Sequence, residues 1–101
     1  MADRFELQSE FEDFLGSRNV YNRSPSSGMR YPAIRYERSG SKLDHANNRV
    51  YLNRPRYDGV IIDTTPDSKL PDRMLDRFPM CSFGKSYVAN NLHHFPFTLY
   101  Y

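Results

Sequence analysis

Four side chains of this sequence could bind a transition metal: Cys81, His45, His93 and His94. A zinc site needs three or four such ligands that converge on one point. His93 and His94 are neighbours on a segment with an extended pattern, so their side chains point to opposite faces. The paired-ligand spacing of zinc sites is also missing. We therefore predict no metal site and interpret the histidines as turn or interface residues.

Three aspartates, Asp58, Asp63 and Asp67, surround the most apolar run of the chain. Paired carboxylates can act as general acid and base or can bind a hard cation. Asp67, however, stands where a helix cap is expected, and Asp63 stands at the end of a predicted strand. The five glycines are dispersed and form no phosphate-binding loop, and no nucleophile elbow is present. The sequence therefore predicts a protein that is not an enzyme and has no cofactor.

Cys81 is the single cysteine, so the sequence contains no intrachain disulfide. A reactive thiol needs a lowered pKa and a nearby base, but the nearest following base is Lys85. Cys81 lies between Met80 and Phe83, in a segment with the composition of a strand. We interpret it as a buried structural residue, which is the common environment of a free cysteine.

Charge is unevenly distributed along the chain. Residues 1–17 contain one basic and five acidic residues, whereas residues 18–56 contain nine basic and two acidic ones. Two complementary patches on one chain favour contacts between copies of that chain. The residues that we assign to such a subunit interface are Glu6, Glu10, Asp13, Arg18, Arg23, Arg30, Arg35, Arg38, Arg49, Arg54 and Arg56.

The basic middle of the chain also contains several tyrosines. Arginine beside aromatic rings suits single-stranded nucleic acid, and the same residues are enriched at protein interfaces. No recognised nucleic-acid-binding module accompanies them. A small protein that binds nucleic acid therefore remains the alternative to a protein that assembles with copies of itself.

The longest β-branched run, Val60-Ile61-Ile62, suits a strand covered on both faces, and we interpret it as the central strand of a sheet with a layer on at least one side. Further strands are predicted over residues 31–37, 80–83 and 95–101. Tyr87 and Val88 continue the 80–83 strand beyond a bulge. Val50, Tyr51 and Leu52 begin another strand, Asn90-Asn91 marks a turn, and Pro96 indicates a strand that begins at an edge.

Two amphipathic patterns predict helices. The first covers residues 3–15 and is followed by Gly16, a residue typical of helix ends. The second is capped by Asp67 or Ser68 and ends at Pro79. The apolar residues at helical spacing are Leu7, Phe11, Phe14 and Leu15 in the first helix and Leu70, Met74 and Phe78 in the second.

Residues 38–49 show no periodicity and contain serine, glycine and asparagine. A loop of this length in a small domain is usually functional or disordered. We predict that this loop contacts a partner protein or lines the lumen of an assembly, through Lys42, Asp44 and His45.

Together these elements predict one α+β domain over residues 1–101. It contains a mostly antiparallel sheet of about four strands with two helices packed on one face. The sequence has no apolar core of a signal peptide and no run long enough to cross a bilayer, so we expect no membrane partner.

Several short strings, in this order, resemble small virion proteins of the bacteriophage neck. The resembling family is that of the tail terminators, also called tail-completion or head–tail joining proteins. The strings are Met29-Arg30-Tyr31-Pro32-Ala33-Ile34-Arg35-Tyr36, Arg56-Tyr57 through Ile62-Asp63, Pro66-Asp67-Ser68, Cys81-Ser82-Phe83, Leu92-His93-His94-Phe95 and Phe97-Thr98-Leu99-Tyr100-Tyr101.

The resemblance implies a structural protein that forms a ring, usually of six copies. Such a ring caps the tail tube and offers a docking surface to the head connector. The implied partners are other copies of the chain, the tail tube protein, the connector or stopper protein and DNA passing through the lumen. The implied location is the virion, after synthesis in the host cytoplasm. A stopper or a head–tail adaptor remains an alternative within the same neck.

Overall fold

The computed structural model describes residues 4–22, 29–39 and 55–101. Within these ranges the chain forms two helices, α1 (Arg4–Leu15) and α2 (Leu70–Arg77). The strands are β1 (Val20–Asn22), β2 (Ala33–Arg38), β3 (Arg56–Asp63), β4 (Cys81–Phe83), β5 (Tyr87–Ala89) and β6 (Leu92–Tyr100). The strand start predicted at Val50–Leu52 and most of the predicted loop lie outside the described residues.

The described strands form one sheet in the order β1-β2-β3-β6-β4, and β5 also pairs with β6. Only β1 and β2 are parallel, whereas every other pair is antiparallel. The predicted class, a mostly antiparallel sheet with two helices, is confirmed. The sheet has six strands rather than about four for two reasons. Strand β1 has three residues, too few to show alternation, and β4 and β5, which were predicted as one strand with a bulge, are separate strands that both pair with β6.

Strand β3 lies at the centre of the sheet, between β2 and β6, as predicted. Tyr57 and Ile61 on one face and Val60 and Ile62 on the other are all buried. Both helices pack on the face of Tyr57 and Ile61, which we call the helix face. The opposite face, which contains Val60 and Ile62, is called the second face.

Helix α1 contributes Leu7, Phe11 and Phe14 to the core, in agreement with the predicted apolar face. The helix ends at Gly16, whose φ of 77° lies in the left-handed region that favours glycine. Residue 3, where the first helix is predicted to begin, lies outside the described residues.

Helix α2 begins one residue later than the predicted caps. Lys69 is the N-cap and makes no side-chain cap bond, while the Oγ of Ser68 accepts a hydrogen bond from the N–H of Leu70 at 3.3 Å. Met74 and Phe78 are buried against the sheet, so the predicted core stripe is confirmed.

Strands β5 and β6 form a hairpin around Asn90 and Asn91. Both residues have positive φ, 54° and 62°, as a type I′ turn requires, and asparagine adopts this conformation more readily than most residues. The predicted turn is therefore confirmed.

The predicted bulge lies between β4 and β5, where Gly84, Lys85 and Ser86 face only two residues of β6. Pro96 lies on β6 opposite this bulge, and its carbonyl accepts a hydrogen bond from the N–H of Gly84 at 2.9 Å. The prediction that Pro96 marks a strand beginning at an edge was wrong, since β6 starts at Leu92 and lies inside the sheet. The missing N–H of proline is tolerated at the bulge.

Gly59 allows the ring of Phe97 to lie directly over β3. A Cβ at position 59 would stand 2.5 Å from Phe97 Cζ and 2.9 Å from the carbonyl oxygen of Arg35. We predict that Gly59→Ala lowers the free energy of unfolding by about 1–3 kcal/mol, the usual cost of overpacking a core. Urea unfolding followed by circular dichroism measures this change.

Gly84→Ala is the matched control. A Cβ at position 84 would meet Pro96 at 3.8 Å, which is an ordinary contact. The control is expected to change the free energy of unfolding by less than about 0.5 kcal/mol, as surface substitutions usually do. Equal stability of the two variants would contradict the proposed packing of Phe97.

Candidate interaction surfaces

The side chains that could bind a metal ion or act in catalysis are distributed over different parts of the fold. Asp63 is buried, and its carboxylate accepts a hydrogen bond from the N–H of Thr64 at 2.7 Å, whereas Asp67 is exposed. His94 stacks on Tyr87 on the second face, with ring centroids 4.7 Å apart. In the part of the chain that the structure describes, no three His, Cys, Asp or Glu residues form a group that could hold a metal ion.

Cys81 is half-buried at the start of β4 and packs against the core cluster. Burial raises the pKa of its thiol from 9.0 to about 11. Since the thiolate is the nucleophilic form, this environment suppresses reactivity at neutral pH.

The acidic surface of α1 contacts α2 within the same chain. Arg77 donates a hydrogen bond to Asp13 at 3.1 Å and approaches Glu10 at 3.5 Å. The hydroxyl of Tyr101 also donates to Glu10. The side chain of Asp13 nevertheless remains 77% exposed, so the same carboxylate can also face a neighbouring molecule.

A polar network joins α1 to the first two strands. The hydroxyl of Tyr36 donates to Gln8 at 2.6 Å, and the amide of Gln8 donates to the carbonyl of Val20 and to Glu12, each at 3.0 Å. Burial raises the pKa of Tyr36, and a hydrogen bond with Arg4 partly opposes that rise. Gln8 therefore links the helix to both strands, a connection that apolar periodicity alone cannot predict.

The described arginines assigned to a subunit interface lie in different environments. Arg18, Arg30 and Arg38 are exposed outside the core, whereas Arg35 is half-buried on the second face. Arg56, also on the second face, forms an ion pair with Asp58 at 3.2 Å. Their role at an interface, like that of Glu6, stays a prediction. The remaining predicted interface and loop residues, Arg23, Lys42, Asp44, His45, Arg49 and Arg54, lie outside the described residues.

The second face contains a pocket of about 290 Å³ between β2 and β5. Val60, Pro96 and Tyr87 are among the residues that line it. The described residues that line it also include Arg35, Tyr36, Glu37, Asp58 and Gly59.

Two acidic residues that line this pocket occupy opposite positions on neighbouring strands. Glu37 on β2 is directly opposite Asp58 on β3 in the strand register. Like charges in opposite positions repel each other and destabilise a strand pair unless a cation is close. Asp58 receives a hydrogen bond from Arg56 and another from Thr98.

The sequence alone does not predict this pocket. Glu37 and Asp58 are 21 positions apart, and only the antiparallel register of β2 and β3 brings them together. The available signal was the alternation in β3, where Arg56, Asp58 and Val60 share one face.

Comparisons with protein-family models, with curated proteins and with solved structures found no match for this chain. Among the described residues, no helix has the length and hydropathy required to cross a membrane.

We predict that native Cys81 reacts slowly with iodoacetamide. At pH 8, a pKa near 11 instead of 9 lowers the thiolate fraction about 100-fold, so we expect alkylation at least tenfold slower than in urea. The native rate should continue to rise up to about pH 11, whereas the unfolded rate should level off near pH 9. Mass spectrometry of timed samples measures both rates.

The Cys81→Ala variant provides the structural control for this prediction. It should fold and assemble like the original chain, with only a moderate loss of stability from the smaller side chain. Rapid alkylation of the native thiol, or loss of assembly in a folded variant, would contradict a purely structural role.

Proposed function

We propose that this chain is a structural subunit of the neck of a tailed bacteriophage. In this proposal it forms a ring of the tail-terminator type, which caps the tail tube and joins it to the head connector. The observation that carries the proposal is the set of short strings resembling this family. Four of these strings lie wholly or partly in β2, β3 and β6, which are neighbours at the centre of the sheet.

The position of these strings supports the proposal because they cover connected parts of one core. Ala33–Arg38 pairs with Arg56–Asp63, and the latter pairs with Leu92–Tyr100. A resemblance limited to isolated loops would say little about a shared architecture. Fold and function remain separate questions, so the assembly role itself needs a direct test.

The charge distribution supports a contact between different patches of neighbouring copies. A closed ring needs a heterologous interface, in which one surface meets another surface of the next subunit. Asp13 is largely exposed on α1, and Arg18 and Arg30 are exposed before β1 and β2. Complementary charges of this kind guide orientation more than they add affinity.

The partners in this proposal are other copies of the chain, the tail tube protein, the connector or stopper protein and DNA passing through the lumen. The chain acts in the virion after synthesis in the host cytoplasm, without catalysis. The 38–49 segment is assigned to contact with a partner or with the lumen, although it lies almost entirely outside the described residues.

Cryo-electron microscopy of phage particles produced with a tagged form of the chain tests this role. We expect a ring of density at the junction of tail tube and connector. A position elsewhere in the particle, or absence from particles, would overturn the proposal. Salt-sensitive binding of the isolated chain to single-stranded DNA, without particle location, would favour the nucleic-acid alternative.

Charge reversal tests the acidic part of the interface. We predict that Glu6→Lys, Glu10→Lys and Asp13→Lys together abolish ring formation, because they place positive charge against the basic surface of the next copy. A single reversal should have little effect, since exposed ion pairs contribute only about 0–1 kcal/mol each. Light scattering with purified tail tubes measures ring formation.

Because Arg77 contacts Glu10 and Asp13 in the same chain, the triple variant needs a folding control. Adding Arg77→Glu restores opposite charges between α1 and α2 without restoring the acidic surface of α1. The quadruple variant should regain thermal stability and still fail to form rings. Normal assembly of either variant, at low and high salt, would contradict the interface role of these acids.

A further inference from the structure

We infer that one corner of the sheet binds the phosphate backbone of nucleic acid. This surface, called the basic corner, consists of Arg18, Tyr21, Arg30 and Tyr31, around the start of β1 and β2. The inference rests on the proposed function for the source of its ligand, which is the DNA that passes through the ring, and it names the residues that contact that DNA. Its evidence is the arrangement, exposure and charge of these side chains.

Hydrogen bonds hold the two segments of the basic corner together. The side-chain amide of Asn19 donates to the carbonyl of Pro32 at 3.3 Å. The N–H of Arg30 donates to the hydroxyl of Tyr21, also at 3.3 Å. The start of β1 and the segment before β2 therefore lie side by side, although they are not adjacent in the sequence.

The two arginines of the basic corner have no acidic partner in the described part of the chain. Arg18 and Arg30 are both exposed, and neither side chain forms an ion pair or a hydrogen bond with another described residue. Arg56 and Arg77, by contrast, are paired with carboxylates of the same chain. A guanidinium group matches the geometry of a phosphate, so two unpaired ones on the same corner favour a phosphate-bearing ligand.

Few acidic residues oppose this positive charge. Residues 14–36 contain four arginines and no Asp or Glu. Asp63 ends β3 at the same end of the sheet but is buried, and the carboxylate of Glu12 on α1 accepts a hydrogen bond from Gln8. The next acid, Glu37, lies toward the far end of β2, about 13 Å along the strand. The basic corner is therefore complementary in charge to a nucleic-acid backbone.

Tyr31 adds an accessible aromatic residue beside the arginines. It is 37% exposed and directly follows Arg30 in the chain. Any nucleotide base can stack on a tyrosine ring, and the bases of a single strand are accessible for such stacking. The basic corner therefore suits the backbone of either form of DNA at its arginines and an unpaired base at Tyr31.

An acidic protein surface, including α1 of another copy, is the competing partner. Two observations favour nucleic acid. Glu10 on α1 already has contacts with Arg77 and Tyr101 of its own chain, which an arginine from another copy would have to replace. A carboxylate also makes no use of an exposed ring, whereas a base stacks on it.

Fluorescence anisotropy measures binding of the full chain to three probes. The probes are a labelled oligothymidine of about 20 nucleotides, its duplex with oligoadenine, and a labelled polyglutamate peptide of the same charge. We expect binding to both DNA probes at about 50 mM salt, with a steep loss at about 200 mM, and at least tenfold weaker binding of polyglutamate. Failure to bind either DNA at low salt, or equal binding of polyglutamate, would overturn the inference.

Single substitutions then test the basic corner itself. Arg18→Gln and Arg30→Gln should each lower the affinity for DNA about threefold and reduce the slope of log affinity against log salt by about one. Tyr31→Leu should weaken binding of the single strand about tenfold and leave the duplex unchanged.

Arg38→Gln is the matched control, because Arg38 is also exposed but lies at the other end of β2. It removes the same charge and should leave the affinity and the salt slope unchanged. An equal loss in this control would show that only the net charge of the chain matters and would overturn the assignment to the basic corner. Thermal unfolding verifies that each variant is folded.

The outcomes separate this inference from the proposed function. Loss of ring formation in Arg18→Gln or Arg30→Gln, with unchanged binding to DNA, would assign these arginines to the subunit contact and overturn the inference, even if the chain is found in the neck. DNA binding that these variants weaken and Arg38→Gln does not supports the inference, even if the chain proves absent from phage particles.

Discussion

The packing of Phe11 is the contact on which the rest of the fold depends. Its ring meets those of Tyr36, Phe78 and Phe97 in edge-on geometry, with centroids 5.2, 5.5 and 6.0 Å apart. These partners belong to β2, to the end of α2 and to β6, so one side chain of α1 joins three separate elements. Each such ring pair contributes about 0.5–1.5 kcal/mol beyond the burial of area. Phe97 can reach this position only because β3 has a glycine beneath it.

The parts of the fold that the sequence could predict are those governed by apolar periodicity. The helical spacing of Leu7 and Phe11, and the uninterrupted run at Val60–Ile62, both identify residues that are buried in the structure. Turn chemistry at Asn90 was equally informative, since few residues adopt positive φ. These features succeed because each is decided within a few residues of the chain.

The features that were missed depend on contacts between distant segments. Strand β1 has three residues and exists through its parallel pairing with β2, which local pattern does not reveal. Pro96 was misassigned because its tolerance depends on the bulge between β4 and β5, on a neighbouring strand. The spacing of the acidic residues of α1 does not indicate that Arg77 from α2 contacts two of their carboxylates. The pocket of the second face likewise depends on register.

The two faces of the sheet therefore differ in how their polar groups are satisfied. On the helix face, Tyr36 and Glu10 have hydrogen-bond partners within the chain, and a partner protein would have to displace those contacts. On the second face, Asp58 is half-buried and, among the described residues, accepts hydrogen bonds from Arg56 and Thr98 at one oxygen. Displacing an existing bond has a cost, because a polar group that is left unpaired on burial loses free energy. A partner that contacts Glu10 must therefore replace the bonds from Arg77 and Tyr101, whereas the largely exposed Asp13 can accept a further donor at little cost.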